Sequence, residues 1–227
     1  MKVIVFDLDN TLCDVGKPIL HENILLVKKL EELGNHIVLC SGKPTYYLCG
    51  LARQIGLKNI ILVGENGAAI QFGVDLPPKQ SYIVCDQLKA MKELDQLKVK
   101  LEEQFEGKIW YQPNEVVLTA FPKKQEYFDA IRTFLQENLI DNCAVYEHID
   151  SFDIVPSGVN KYEGLTYLAK ILNVSKDDFI AVGDGQNDYP MFEFAKLSLG
   201  IKVKDASKVD INFNSINEAL NYLINNN

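Results

Sequence analysis

At 227 residues, with 47% hydrophobic and 24% charged side chains, the chain has an ordinary globular composition and enough length to bury a core in one domain or two. A formal net charge of −8 and a pI near 5.0 argue against nucleic acid or an anionic membrane surface as partner, because both reward positive patches. No apolar run approaches the ~20 residues that span a bilayer, and the apolar segment after Lys2 runs straight into Asp7, unlike a secretory leader. A soluble, cytoplasmic protein is therefore expected. Cys13, Cys40, Cys49, Cys85 and Cys143 are odd in number, scattered and without a Cys-x-x-Cys pair, which suits reduced thiols. His21, His36 and His148 lie far apart with no ligand-like spacing.

The first predicted strand is the apolar run Val3 to Phe6, which ends in Asp7-Leu8-Asp9-Asn10-Thr11-Leu12. On an extended chain residues i and i+2 share a face, so Asp7 and Asp9 are expected to point the same way. Two such carboxylates repel unless a cation or a shared proton lies between them. The same residues also suit a plain turn after a strand. Apolar positions at Ile24, Val27, Leu30 and Leu33 predict a helix over 19–33, stopped by Gly34-Asn35. A strand at 36–40, a helix at 45–55 and a strand at 59–63 follow, and this βαβ alternation predicts a parallel sheet.

The pattern changes at Gly64-Glu65-Asn66-Gly67-Ala68, which reads as a turn into a short hairpin, and Pro77-Pro78 marks a linker. Helix 86–106, strands 108–112 and 116–121, helix 125–137 and strands 144–148 and 152–155 read as helix-strand-strand twice over. That is an α+β unit with antiparallel pairing, in which Trp110, Tyr111 and Phe121 are expected to lie in the core. The parallel pattern then resumes. Helix 161–172 and strand 179–182 lead into Gly183-Asp184-Gly185-Gln186-Asn187-Asp188, followed by helix 190–195, strand 198–201, an edge strand within 209–213 and helix 217–224. The expected division is a core of residues 1–79 and 156–227 with an inserted domain at 80–155.

Four short stretches stand at strand ends or a helix start: Asp7-Leu8-Asp9, Ser41-Gly42-Lys43, Lys161, and Asp184 to Asp188. In an open parallel sheet such loops gather at one edge, where ligands bind. Each alone is an ordinary turn, surface lysine or solvated loop. Together they supply a carboxylate nucleophile, hydroxyl and amide donors for phosphoryl oxygens, a neutralising lysine and oxygen ligands that suit Mg²⁺.

Here the residues resemble a known family. Asp7-Leu8-Asp9-Asn10-Thr11-Leu12 is similar to the Asp-x-Asp-x-Thr opening of the haloacid dehalogenase-like phosphohydrolases. Cys40-Ser41-Gly42-Lys43 resembles their second motif, Asn160-Lys161 the third and Gly183 to Asp188 the fourth, all in the family's order. Glu65-Asn66-Gly67-Ala68 and the αββαββ insert resemble the Cof-like branch, which includes phosphoglycolate and sugar-phosphate phosphatases. The resemblance implies an α/β fold, a Rossmann-like parallel-sheet core with an inserted α+β cap that sets substrate specificity.

It implies that Asp7 attacks phosphorus to form an aspartyl-phosphate. Asp9 serves as acid and then base, with its main-chain carbonyl on the metal. Ser41, Gly42, Lys161 and Asn187 hold the phosphate, and the Mg²⁺ site comprises Asp7, Asp9, Asp184 and Asp188. Lys43 stands where Arg is usual, keeping the charge but losing bidentate geometry. The implied activity is Mg²⁺-dependent hydrolysis of a small phosphorylated metabolite by a monomer or homodimer. A phosphomutase, or a non-enzymatic phosphoacceptor switch, uses similar parts.

Overall fold

The computed structural model describes residues 1–57, 59–138 and 143–226. β1 (Val3–Phe6) is apolar and buried along its whole length, as a central parallel strand covered on both faces must be. α1 (His21–Glu32), β2 (His36–Cys40) and α2 (Thr45–Ile55) follow, the last closed by Gly56 in the left-handed region. Next come β3 (Ile61–Gly64), β4 (Ala69–Phe72) and β5 (Ser81–Ile83).

The chain then forms α3 (Gln87–Gln104), capped by the Asp86 side chain, β6 (Ile109–Tyr111), β7 (Leu118–Pro122), α4 (Phe128–Asn138), β8 (Ala144–Glu147) and β9 (Phe152–Val155). It returns through α5 (Lys161–Leu172), β10 (Phe179–Gly183), α6 (Tyr189–Phe194), β11 (Leu197–Ile201), β12 (Ile211–Phe213) and α7 (Ile216–Asn225).

These elements form two compact units, Met1–Val84 together with the chain from Asn160 onward, and Cys85–Val159. The boundaries differ from the expected 79/80 and 155/156. After Pro77-Pro78 the chain returns for one more strand, β5, which pairs antiparallel with β4. Three residues with only one aliphatic side chain show no period that would announce a strand.

In the first unit eight strands run in the order β12-β11-β10-β1-β2-β3-β4-β5, parallel from β12 to β3 and antiparallel from β3 to β5. Alternate strand residues feed two apolar layers. Ile4, Phe6, Leu39 and Leu62 pack with Val27, Leu30, Leu48 and Leu220, while Val3, Val5, Val38 and Val63 pack with Leu165, Leu168 and Met191. β1 lies between β2 and β10, with Val5 level with both Val38 and Ala181. The chain winds outward in opposite directions on its two sides, so the carboxyl end of β1 is a topological switch point, where open α/β sheets leave a crevice.

The second unit is a four-stranded antiparallel sheet, β6-β7-β9-β8. One face packs on α3 and α4 through Leu97, Leu101, Ile131, Leu135, Phe152 and Ile154, with the Phe128 and Phe152 rings 4.4 Å apart. The two-residue strand period divides the expected aromatic core. Ile109 and Tyr111 take the helix-covered face, whereas Trp110 between them emerges on the other face and is 51% exposed.

Phe152 is fully buried at the centre of this layer. Phe152→Ala should destabilise by about 3–5 kcal/mol, measured by urea unfolding. Amide hydrogen exchange should rise first in β6 to β9 rather than in the eight-stranded sheet.

Candidate active site

The first residue past β1 still follows the sheet, since the Asp7 N–H donates to the Val182 carbonyl at 2.9 Å. Extended geometry stops there. The Leu8 carbonyl accepts from the N–H groups of Thr11, Leu12 and Cys13 at 3.3, 2.9 and 3.2 Å, a tight turn completed by Asn10 at φ 61°. Asn tolerates that left-handed conformation better than most residues. The strand period therefore does not govern Asp9. Its carboxylate, 29% exposed, pairs with Lys43 Nζ at 3.5 Å rather than joining the group around Asp7.

That group is built by Lys161, whose Nζ donates to Asp7 Oδ1 and to Asp188 Oδ1, each at 2.6 Å, with all three residues buried. The other oxygen of Asp188, Oδ2, accepts from the backbone N–H groups of Asp184 and Gly185 at 2.9 and 3.0 Å. Gly183 is required beside it, because a β-carbon there would stand 2.5 Å from Asp188 Oδ2. Thr11 Oγ1 donates to Asp184 Oδ1 at 3.1 Å. Asp7, Asp184 and Asp188 each present an oxygen, and these oxygens all lie within 4.8 Å of one another.

Three carboxylates face one ammonium, and the imbalance shows in the acidities. Burial, and after it the charge of Asp188, push Asp7 up to about 8 in spite of Lys161. Burial and Asp188 push Asp184 up to about 6. Burial opposes the charge on Lys161, but Asp188 and Asp7 outweigh it and hold the ammonium protonated. An all-oxygen donor set carrying surplus negative charge fits a hard divalent cation such as Mg²⁺.

Lys161 opens α5, whose N-terminus is capped by Asn160 Oδ1 accepting from the Glu163 N–H at 2.9 Å. A turn at Glu65-Asn66-Gly67 braces this position, with three successive residues in the left-handed region at φ 53°, 54° and 102°. Its Glu65 and Asn66 N–H groups donate to the carbonyls of Lys43 and Ser41 at 3.0 Å each. On its other side, a β-carbon on Gly164 would meet the Gly67 Cα at 2.7 Å, and one on Gly67 would collide with the Asn160 carbonyl. Two glycines in contact thus hold the turn against the first turn of α5, and the turn ties the Ser41 loop to Lys161. The sequence shows Glu65 to Gly67 only as a family-like segment. A contact between glycines on separate elements leaves no periodic trace.

Ser41 is buried, its N–H bonded to Val63 and its Oγ accepting from the Lys43 N–H at 3.2 Å. Ser41 and Gly42 follow β2, and Asn187 lies on the single turn Gln186–Asp188 after β10. They stand on the loops of the two strands that flank β1. Cys13 and Cys40 are poor nucleophiles, since burial above all pushes their thiols up to about 11 and about 12.

Known proteins resemble this chain in sequence and in fold. The sequence profile of the haloacid dehalogenase-like hydrolases matches residues 4–119 and 98–211. The chain is 26% identical over 212 residues to a phosphoglycolate phosphatase from Methanococcoides burtonii, covering 92% of this chain and 87% of that protein. The solved structure of a haloacid dehalogenase-like hydrolase from Bacteroides thetaiotaomicron is similar with a TM-score of 0.78 at 19% identity, over 98% of this chain and 99% of that one. A subclass IIB sugar phosphatase is similar with a TM-score of 0.73 at 16% identity, over 98% of each chain. The chain belongs to the haloacid dehalogenase-like hydrolase family.

Proposed function

We propose that the protein hydrolyses a small phosphate monoester, a sugar phosphate or phosphoglycolate, through an aspartyl-phosphate, the acyl phosphate of Asp7, and with Mg²⁺ as cofactor. The observation that carries this reading is the buried Lys161 ammonium shared between Asp7 and Asp188 at 2.6 Å, beside the carboxylate of Asp184. A carboxylate held this way is aimed, desolvated and kept from diffusing, as an attacking group needs to be.

Asp7 Oδ attacks phosphorus as the bond to the leaving oxygen breaks, and Asp9 gives that oxygen its proton. Asp9 then takes a proton from a water that attacks the phosphorus, releasing inorganic phosphate and restoring Asp7. The placement of Asp9 supports this division of labour, since its carboxylate is partly exposed and outside the buried cluster. Lys161, the Ser41 hydroxyl, the Gly42 amide and Asn187 hold and neutralise the phosphoryl oxygens. Asp7, Asp184, Asp188 and the main-chain carbonyl of Asp9 would hold Mg²⁺, which when bound supplies charge neutralisation toward the phosphoryl group. These groups are generic to phosphoryl transfer, so the choice of leaving group falls to the inserted unit, acting as a cap.

A phosphate-release screen over sugar phosphates, phosphoglycolate and other small monoesters tests the reading. Asp7→Asn should lower turnover by about 10³-fold or more, and chelation should abolish it. Interconversion of hexose phosphates without phosphate release would instead identify a mutase.

Binding of Mg²⁺ should also expel protons. Asp184 and Asp7 titrate near 6 and near 8, so affinity should rise with pH through that range and level off above it. Calorimetry in buffers of different ionisation enthalpy reads the proton count, and a count of zero at pH 6 would contradict the cluster as the binding site.

The glycine brace gives a third expectation. Gly164→Ala improves helix propensity yet pushes on Gly67, and kcat should fall between about tenfold and 10²-fold, as for a small misplacement of a catalytic group. The melting temperature should fall as well, because the added β-carbon would meet backbone atoms of Gly67. Gly73→Ala, at φ 73° with open space around it, should leave kcat intact. Unchanged kcat in Gly164→Ala would remove the brace from the account.

A further inference from the structure

The last turns of α3 and the start of β6 enclose a cavity of about 620 Å³ that lies wholly within the second unit. Its apolar floor is Phe105 and Ile109, both buried, with the Phe134 ring 5.5 Å from that of Phe105. Tyr111 forms one wall. Val99, Glu102 and Glu103, neighbours on one face of α3, form another, and Glu106 follows just past the helix end. Three carboxylates thus gather at a helix C-terminus, where the backbone already carries partial negative charge. The last turn of α3 has no basic residue. Among the described residues, no lysine or arginine nitrogen lies within 4 Å of Glu103 or Glu106.

Solvated glutamates would account for the charges, but not for the phenol among them. Tyr111 Oη is shut off from solvent and has no hydrogen-bond partner among the described residues. Burial, and after it the charge of Glu102, push this phenol up to about 12, so it stays neutral. A buried hydroxyl without a partner is rare and costly. Val99 and Glu102, which share the cavity with it, are exposed and can turn aside for an incoming group.

The chain itself shows which chemistry this wall accepts. Lys98 lays its ammonium over the Tyr111 ring, 5.1 Å from the centroid, and 4.0 Å from Glu102. An alkylammonium between an aromatic face and a carboxylate is favourable on both sides. Lys98 leaves Glu103 and Glu106 uncompensated. A hydrated dication would answer their charge but leave Phe105 and Ile109 facing water, whereas a methylene chain with ammonium groups at intervals answers both.

We propose that this cavity binds a linear aliphatic polyamine, with methylenes on Phe105 and Ile109, one ammonium donating to Tyr111 Oη and the others set among Glu102, Glu103 and Glu106. The proposal concerns the second unit alone and is independent of the phosphatase reading.

Calorimetric titration of the full-length chain with spermidine and with putrescine tests it, with Mg²⁺ in excess throughout so that sites for a bare dication are occupied. Saturable one-to-one binding of spermidine is expected, weakening as NaCl rises. In the isotope-labelled chain, the amide resonances that shift should be those of residues 98–111. Tyr111→Phe should weaken binding by about tenfold, the scale of one hydrogen bond to a charged group, and should leave the unliganded chain at least as stable, since it breaks no hydrogen bond. Glu103→Gln combined with Glu106→Gln should weaken binding by about fivefold or more. Lys98→Met vacates the ring face and Glu102, and should tighten binding by about twofold to fivefold, the scale of one exposed cation–π contact.

The proposal is overturned if neither polyamine binds, if excess Mg²⁺ abolishes the binding, or if the shifted amides surround Asp7 and Asp184 instead. It is equally overturned if Tyr111→Phe and the double glutamine variant both bind like the parent. A lysine-rich peptide that binds at 98–111 where spermidine does not would replace the polyamine site with a protein-docking surface.

Discussion

A buried ammonium between two buried carboxylates is costly to assemble and costlier to leave half made. Each ion gives up several kcal/mol of hydration, and only close, multiply bonded partners repay it. Lys161 at 2.6 Å from both Asp7 and Asp188, with Asp188 further held by two backbone N–H groups, meets that condition. The three residues come from the end of β1, the start of α5 and the loop after β10. None of these segments can shift without uncovering a charge, so the electrostatics of the site and the packing of the sheet enforce one another.

The sheet supplies the converse support. β1 is flanked by β2 and β10 and buried on both faces, so its carboxyl end is fixed from two sides before any polar contact is counted. The residual negative charge is then a property of the fold rather than of one residue. Two of the three clustered carboxylates are pushed toward neutrality by burial, and a bound dication is the natural way for them to ionise together.

Much of this was legible in the sequence, for identifiable reasons. Val3 to Phe6, His36 to Cys40 and Phe179 to Gly183 are compact apolar runs ending in turn or acidic residues, and they are the strands that place the site. The order of the motifs points to Asp7, Lys161, Asp184 and Asp188 as one group, and the fold brings these four side chains together. What escaped was non-local or too short to have a period. β5 has three residues. The side chain of Asp9 is directed by a turn hydrogen-bonded through one carbonyl rather than by strand alternation. The Gly67–Gly164 contact is visible only as missing volume. Trp110 was misplaced because hydrophobicity alone assigns it to the core, while its neighbours Ile109 and Tyr111 had already claimed that face.

The turn at Glu65 to Ala68 has one more role. The last residue before the inserted unit, Val84, donates its N–H to the Ala68 carbonyl at 2.8 Å, and the first residue after it, Asn160, lies against Gly67. The chain therefore leaves and rejoins the larger unit at neighbouring points on one short brace. Such closely spaced ends are what make a segment exchangeable. The larger unit needs only a bridge of a few residues there, so one insert could be traded for another while the buried cluster of Asp7, Lys161 and Asp188 stayed as it was.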